Sequence, residues 1–549
     1  MRRPAAGSIR AARARSRCAP RPSRRSASRP LAISPPATST PPEPLAPSLT
    51  RRRFLRHLGL AAGATLGTAP LAELAAVAAP APLHVVICGA GLAGLCAALE
   101  LERRGHRCTI LEAETAHVGG RVRTLRLGDG LHGEAGAMRV PRGHALTRHY
   151  VAEMGLTLRP FVQSNPAAFV LARGRRKRVR DAARLGAVFA LGADEQGKSP
   201  DDLWAASLVR RLESLSAAER QDLAAVEPRT DAIRALDRQS LRQVLEGSGL
   251  SAEAVEMLAV ATGIETLLDT AATEHLREEH DGVWTGGFDE IVGGSDRLPA
   301  AMAAKLASKP RLGCEVVRLE QDPLRQTAAA VYREAGRLRR AEGDFVLCTL
   351  PFPVLARVEV VPELSAGKRR AIRELGYDSS TKILAVTARR FWEQDDGIYG
   401  GGSFTDLPTG TTWYPSDNAE ARDPRVSAAP GVLLASYTWG QAARRWASMS
   451  HTARSRAALA HLARLHPQVA GPDAVRRTAS WSWDTHPWSG GAFAWFLPGQ
   501  HVALHRHVVA PEGRIHFAGE HASLAHTWMQ GALESALVAV REMLAAAGR

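Results

Sequence analysis

Leu83-His84-Val85-Val86-Ile87-Cys88 runs directly into Gly89-Ala90-Gly91-Leu92-Ala93-Gly94, and a helical pattern follows from Leu95 to Arg104. The first six residues form a short apolar run, as a strand buried on both faces of a parallel sheet requires. Gly105 ends the helical stretch, Cys108-Thr109-Ile110-Leu111 predicts a second strand, and Glu112 closes it 18 residues after the last glycine. A G-x-G-x-x-G turn between strand and helix is the fingerprint of a dinucleotide-binding, Rossmann-type unit. Its glycines let the backbone approach a pyrophosphate, and the free N–H groups and dipole of the helix N-terminus hold that anion. Gly89, Ala90, Gly91 and Gly94 are placed to line the pyrophosphate, and Glu112, with Ala113 beside it, to take the ribose. The turn itself suits FAD and NAD equally.

Outward from that turn, the chain has 549 residues, 45% apolar and 23% charged. That is long enough for three or four domain-sized units, and the composition excludes a disordered chain, a collagen and a disulfide scaffold. The net charge of +16 is unevenly placed: residues 1–80 hold 14 Arg, no Lys and 2 Glu, which is +12, leaving +4 over the other 469. A basic tail is no nucleic-acid groove, so no nucleic-acid partner is expected. Residues 1–49, rich in Arg, Pro, Ser and Ala, read as a disordered tail. Residues 50–78 read as a twin-arginine export signal: Arg51-Arg52-Arg53-Phe54-Leu55, a mild apolar run, then Ala76-Val77-Ala78 as a cleavage site. Gly63, Gly67, Pro70 and Glu73 make that run a poor membrane span. No stable membrane insertion is expected, and the destination is secreted or periplasmic. The six Cys show no C-x-x-C spacing, so no metal site or disulfide framework is indicated.

Gly119-Gly120-Arg121-Val122-Arg123-Thr124 follows Glu112 by seven residues. With this second Gly-Gly-Arg loop the sequence resembles the flavin-dependent amine oxidase family, and the nucleotide reads as FAD. The resemblance implies that Gly120 and Arg121 contact the cofactor. The next stretch, Gly133-Glu134-Ala135-Gly136-Ala137-Met138-Arg139-Val140-Pro141, resembles the L-amino acid oxidase branch. There, Met138 and Arg139 would adjoin the cofactor and Arg139 would grip a substrate α-carboxylate, which a planar guanidinium does with two parallel donors.

Further segments carry the same resemblance. Phe288 to Pro299 looks like this branch, Leu312–Leu319 reads as a strand, and the resemblance implies that Val316 would bond the adenine through its backbone. Ser380-Thr381-Lys382-Ile383 resembles the family position where a Lys holds a water beside flavin N5, and burial there would depress the Lys382 pKa. Gly431 to Tyr437 adds the Tyr437 phenol to the carboxylate site. Near the C-terminus, Glu520 would bond the ribityl chain, the Thr527 carbonyl would accept the substrate amine, and Trp528 would wall the substrate cage. Thr527–Leu544 reads as a long helix. Eight of the eleven Trp follow residue 400, and two or three of these are expected in the pocket. Lone His275 and His280, in a polar helical stretch, are expected to be exposed, and Arg175–Arg178 to be a solvated turn. The last Cys is Cys348, so no cysteine tether near the C-terminus is available and FAD is expected to be non-covalent.

The expected architecture is therefore α/β plus α+β. A discontinuous FAD-binding domain takes residues 83–124, 288–360 and 506–549; a mixed-sheet substrate domain takes 125–180 and 361–505; a helical insertion takes 181–287. The expected function is FAD-dependent oxidative deamination of an L-amino acid by O2, giving a 2-oxo acid, ammonia and hydrogen peroxide. Lys382 and Trp528 are the catalytic candidates; Arg139, Tyr437, Thr527 and Trp528 bind substrate; no metal is required, and a homodimer is left open. The alternatives are an amine or polyamine oxidase, a 2-monooxygenase converting the amino acid to an amide, and a non-catalytic nucleotide-binding protein.

Overall fold

In the computed structural model residues 82–548 are described; the tail and export-signal readings, residues 1–49 and 50–78, lie outside the described residues. A four-stranded parallel sheet orders Arg107–Leu111, His84–Cys88, Phe345–Cys348 and Ile515–Phe517. Its strands come from three segments, each more than 160 residues from the next, so the first strand pair alone cannot complete it. Alternation decides the packing. Val85, Ile87, Phe345 and Leu347 face the helices Leu92–Arg103 and Met529–Ala546, while Val86, Cys88, Val346 and Cys348 face the strand Cys314–Asp322 and its partners. Both faces are covered, which is why these strands are apolar throughout.

The helix Ala145–Glu153 buries Leu146, Tyr150 and Val151 in that same first core. This departs from grouping 125–180 with the substrate unit; the bond from Tyr150 Oη to Glu100 (2.9 Å) fastens the helix to the dinucleotide helix. A seven-stranded mixed sheet runs Val475–Ser482, Ser380–Thr387, Gly431–Trp439, Thr411–Tyr414, Gly401–Thr405, Phe169–Ala172 and Arg175–Arg178. The basic run Arg175–Arg178 is thus an edge strand rather than a turn, paired with Phe169–Ala172. The guanidinium groups of Arg176 and Arg178 lie over the Phe169 ring at 4.6 and 4.1 Å. Charged edge strands resist pairing with other chains.

Between Pro200 and His280 the chain is helical around its own core of Leu208, Leu212, Leu223, Ile233, Leu245 and Leu258 among others. Ser199, Ser216 and Ser240 each start a helix with a reciprocal capping box, satisfying two of the free N–H groups at each start. The stretch Leu241–Ala261 is two helices, Leu241–Gly247 and Ala252–Thr262. Phe288–Ile291 returns the chain in a small antiparallel sheet with Val140–Pro141 and Leu158–Phe161, which brings the Arg139 segment and the end of the helical region together. Among the described residues no helix is long and apolar enough to cross a membrane.

Candidate active site

The dinucleotide turn has the shape its glycines predict. Gly89 takes φ +106°, and a Cβ on Gly94 would stand 2.1 Å from the Gly89 carbonyl oxygen, so both positions require glycine. A Cβ on Gly91 would meet nothing within 4 Å, and one on Gly120 only the Gly91 Cα at 3.6 Å. An open space therefore lies where the two glycine loops meet. The helix Leu92–Arg103 begins there with no side-chain cap and no acid in its first turn, leaving its N–H groups for an anion. This cradle fits an FAD pyrophosphate. Glu112 accepts from the Ala90 N–H (2.8 Å) and, with its other oxygen, the Glu114 N–H (2.9 Å), bracing the turn. Ala113 lies between those two anchors. Val316 sits beside a register shift in its strand, between Val316 and Arg318.

Arg121 and Glu520, both assigned to the cofactor by resemblance, also bond each other: Arg121 Nη1 donates to Glu520 Oε1 at 2.6 Å. Glu520 further accepts from the Ala494 and Thr527 N–H groups, each at 3.0 Å. The last helix begins at Met529, not Thr527: Trp528 is its extended N-cap, and Thr527 is held at φ +70°. A β-branched residue in that region is strained, and the bond from its N–H to Glu520 helps hold it.

Arg139 is the centre of the second half of the site. It is 9% exposed, and its guanidinium lies 5.2 Å from the Trp284 and Trp413 ring centres, 5.5 Å from Phe288 and 5.9 Å from Trp528. Its Nη1 donates to Gln163 Oε1 at 2.9 Å. Among the described residues no carboxylate reaches it within 4.0 Å. Burial lowers its pKa, with the fields of Tyr437 and Glu278 opposing. A buried guanidinium without an acid partner is costly unless an anion arrives.

Lys382 and Tyr437 are paired across adjacent antiparallel strands. Lys382 Nζ donates to the Gly136 carbonyl (2.7 Å), lies 3.5 Å from Met138 Sδ and 4.4 Å from the Tyr437 ring centre. Burial pushes the Lys382 ammonium well below its ordinary pKa and the Glu134 carboxyl well above its own. Of the late tryptophans, Trp413 and Trp528 face Arg139 and Trp439 lies 5.0 Å from Tyr437. Trp446 packs elsewhere, with Ile383 and Ala458.

Several participants escaped sequence reasoning. Gln163, Trp284 and Glu278 carry no local periodic signal, and only the fold brings them to Arg139. His275 is buried, bonded to Thr270 Oγ1 at 2.9 Å, and not exposed as expected; His280 is exposed. The packing of the helical region against Trp495 is the reason, since the His275 ring lies 5.4 Å from it. The five described cysteines are free and buried, and no group of residues suited to a metal ion occurs among the described residues.

Comparison with known proteins identifies the family. The family described as flavin containing amine oxidoreductase matches residues 92–544. The YobN protein of Bacillus subtilis (strain 168) is 36% identical over 462 residues, covering 83% of this chain and 93% of YobN. The L-amino-acid oxidase of Siganus canaliculatus is 34% identical over 460 residues, covering 83% and 84% of the two chains. Among solved structures, putrescine oxidase bound to putrescine superimposes with a TM-score of 0.65 at 22% identity, covering 84% of this chain and 99% of that one.

Proposed function

Because this chain belongs to the flavin-containing amine oxidoreductase family and so binds FAD, we propose that it is an L-amino acid oxidase, oxidising an L-amino acid with O2. The observation that carries the reading is Arg139, a buried guanidinium ringed by four aromatic side chains with no carboxylate within 4.0 Å among the described residues. A simple amine brings no carboxylate to neutralise it; an α-amino acid does.

In this reading Arg139 takes the substrate carboxylate as a bidentate pair, and Gln163 holds the guanidinium plane. The aromatic walls exclude water and strengthen that charge pairing. Glu520, through the Thr527 N–H, keeps the Thr527 backbone in its strained turn, so that the Thr527 carbonyl can accept the substrate amine. Lys382, tied to the Gly136 carbonyl, orders a water. FAD, held at the Gly89–Gly94 turn with Arg121 and Glu520 beside it, would supply the two-electron acceptor for the Cα–H bond, the pair and two protons ending on O2 as H2O2. Water then adds to the imino acid, and ammonia leaves as the 2-oxo acid forms. Residues 50–78 would send the folded enzyme across a membrane by twin-arginine export.

The deciding experiment is H2O2 release from the holoenzyme against all L-amino acids and a set of primary amines and polyamines. Turnover of L-amino acids with an equal yield of 2-oxo acid is the expected result. Turnover of amines alone, or an amide product, overturns the reading. A signal-peptide fusion that stays in the cytoplasm of a twin-arginine-competent host overturns the export proposal.

A further inference from the structure

Glu278 lies on the helix Ala272–His280, in a region with no direct hydrogen bond to Arg139, yet it reaches two of the four rings around that guanidinium. Its Oε2 accepts the indole N–H of Trp284 and its Oε1 accepts that of Trp528, both at 2.8 Å. The two indoles stand 5.8 Å apart at 66°, with Phe288 stacked on Trp528 at 6.2 Å. No Lys, Arg or His among the described residues forms an ion pair with Glu278. A half-buried carboxyl with no ion-pair partner is expensive, and desolvation raises its pKa to about 7, against the two indole donors, while its field reaches the Arg139 guanidinium. An indole N–H has a single proton and needs one acceptor. One rigid carboxyl group thus satisfies both and fixes the spacing between them.

We propose that Glu278 is a positioning residue of this site: by holding Trp284 and Trp528 on its two oxygens, it sets the aperture through which substrate meets Arg139. The inference rests on the carboxylate-binding reading of Arg139 for the identity of the occupant, and on the two hydrogen bonds for the role of Glu278. Its effect should fall on substrate affinity, because Glu278 holds walls rather than reacting atoms.

The two bonds give a test that a merely structural role would not meet. In Glu278→Gln the amide oxygen can accept one indole N–H, but the amide NH2 then faces the other donor. One wall is released, and KM should rise about 5- to 50-fold with kcat within about 3-fold. In a Trp284→Phe background only Trp528 still needs an acceptor, which the Gln oxygen supplies, so there the Glu278→Gln change should raise KM less than about 2-fold. The substrate is whichever compound the wild-type holoenzyme turns over fastest, and flavin absorbance checks that each variant is loaded. If Glu278→Gln does not fold, the Trp284→Phe double variant still tests the rescue. An unchanged KM in Glu278→Gln, an equal KM effect in both backgrounds, or a loss confined to kcat or flavin content overturns the proposal. The carboxylate reading fails separately, through wild-type turnover of amines alone.

Discussion

Lys382 and Tyr437 face each other as Cα partners on adjacent antiparallel strands, with the lysine nitrogen 4.4 Å from the centre of the phenol ring. The pairing puts a cation and an aromatic donor on one face of the mixed sheet. It also ties the water-handling candidate to the substrate-binding candidate.

Burial depresses Lys382, so its proton leaves well below the ordinary lysine range. If the neutral amine serves the reaction, kcat rises with pH as that proton is lost. Lys382→Met should lower kcat about 100-fold and abolish that limb of the pH profile. A mutant profile parallel to wild type would remove Lys382 from the chemistry.

In the L-amino acid reading, Arg139→Ala would leave the substrate carboxylate among aromatic rings without a partner. Removing one member of a buried charge pair costs about 2–5 kcal/mol, so kcat/KM for L-amino acids should fall roughly 30- to 5,000-fold. Arg139→Lys restores charge but not the fork and should recover only part. Steady-state kinetics on both variants, with an amine as control, check this.

Gly94→Ala drives a methyl to 2.1 Å from the Gly89 carbonyl. The turn must open, at a cost of about 1–3 kcal/mol, and the cradle opens with it. The purified variant should show a lower flavin-to-protein absorbance ratio and a lower Tm than wild type.

A buried cluster joins the helical region to the C-terminal segment: His526 Nδ1 bonds Glu274 Oε1 at 2.8 Å, and Arg277 Nη1 bonds Glu274 Oε2 at 3.1 Å. Burial works against ionised Glu274, but His526 and then Arg277 outweigh it and hold its pKa at about 2. Its folded pKa lies below the unfolded value, so its stabilisation is full above about pH 4.3 and lost as pH falls toward the folded value. His526 is raised, despite burial, by Glu274. Its stabilisation is full below about pH 6.5 and lost as pH rises through its folded value. Tm should therefore peak near pH 5–6 and fall on both sides. Glu274→Gln should cost about 3–5 kcal/mol and flatten the acid side, as thermal melts across pH would record.

Residues 83–112 were legible because strand, glycine turn and helix are consecutive, and each signal reads over a few residues. His275 was misread because its polarity is a local fact while its burial depends on Trp495, 220 residues away. The start of the last helix was misplaced by two residues because Glu520, and not any cap in the helix, holds Thr527 out of it.

By itself the sequence determined the dinucleotide unit, the apolar strands on both sides of it, and the presence of an Arg and a Lys in motifs that resemble an oxidase. Only the tertiary structure decided that Arg139 is buried with no acid in ion-pair contact among the described residues, that Trp284, Phe288, Trp413 and Trp528 surround it, and that Glu278 holds two of them. Glycine turns and helix caps are specified by backbone geometry over a few residues. A charge's solvation is specified by whatever the whole chain packs around it, and at this site those groups come from segments as distant as Arg139 and Trp528.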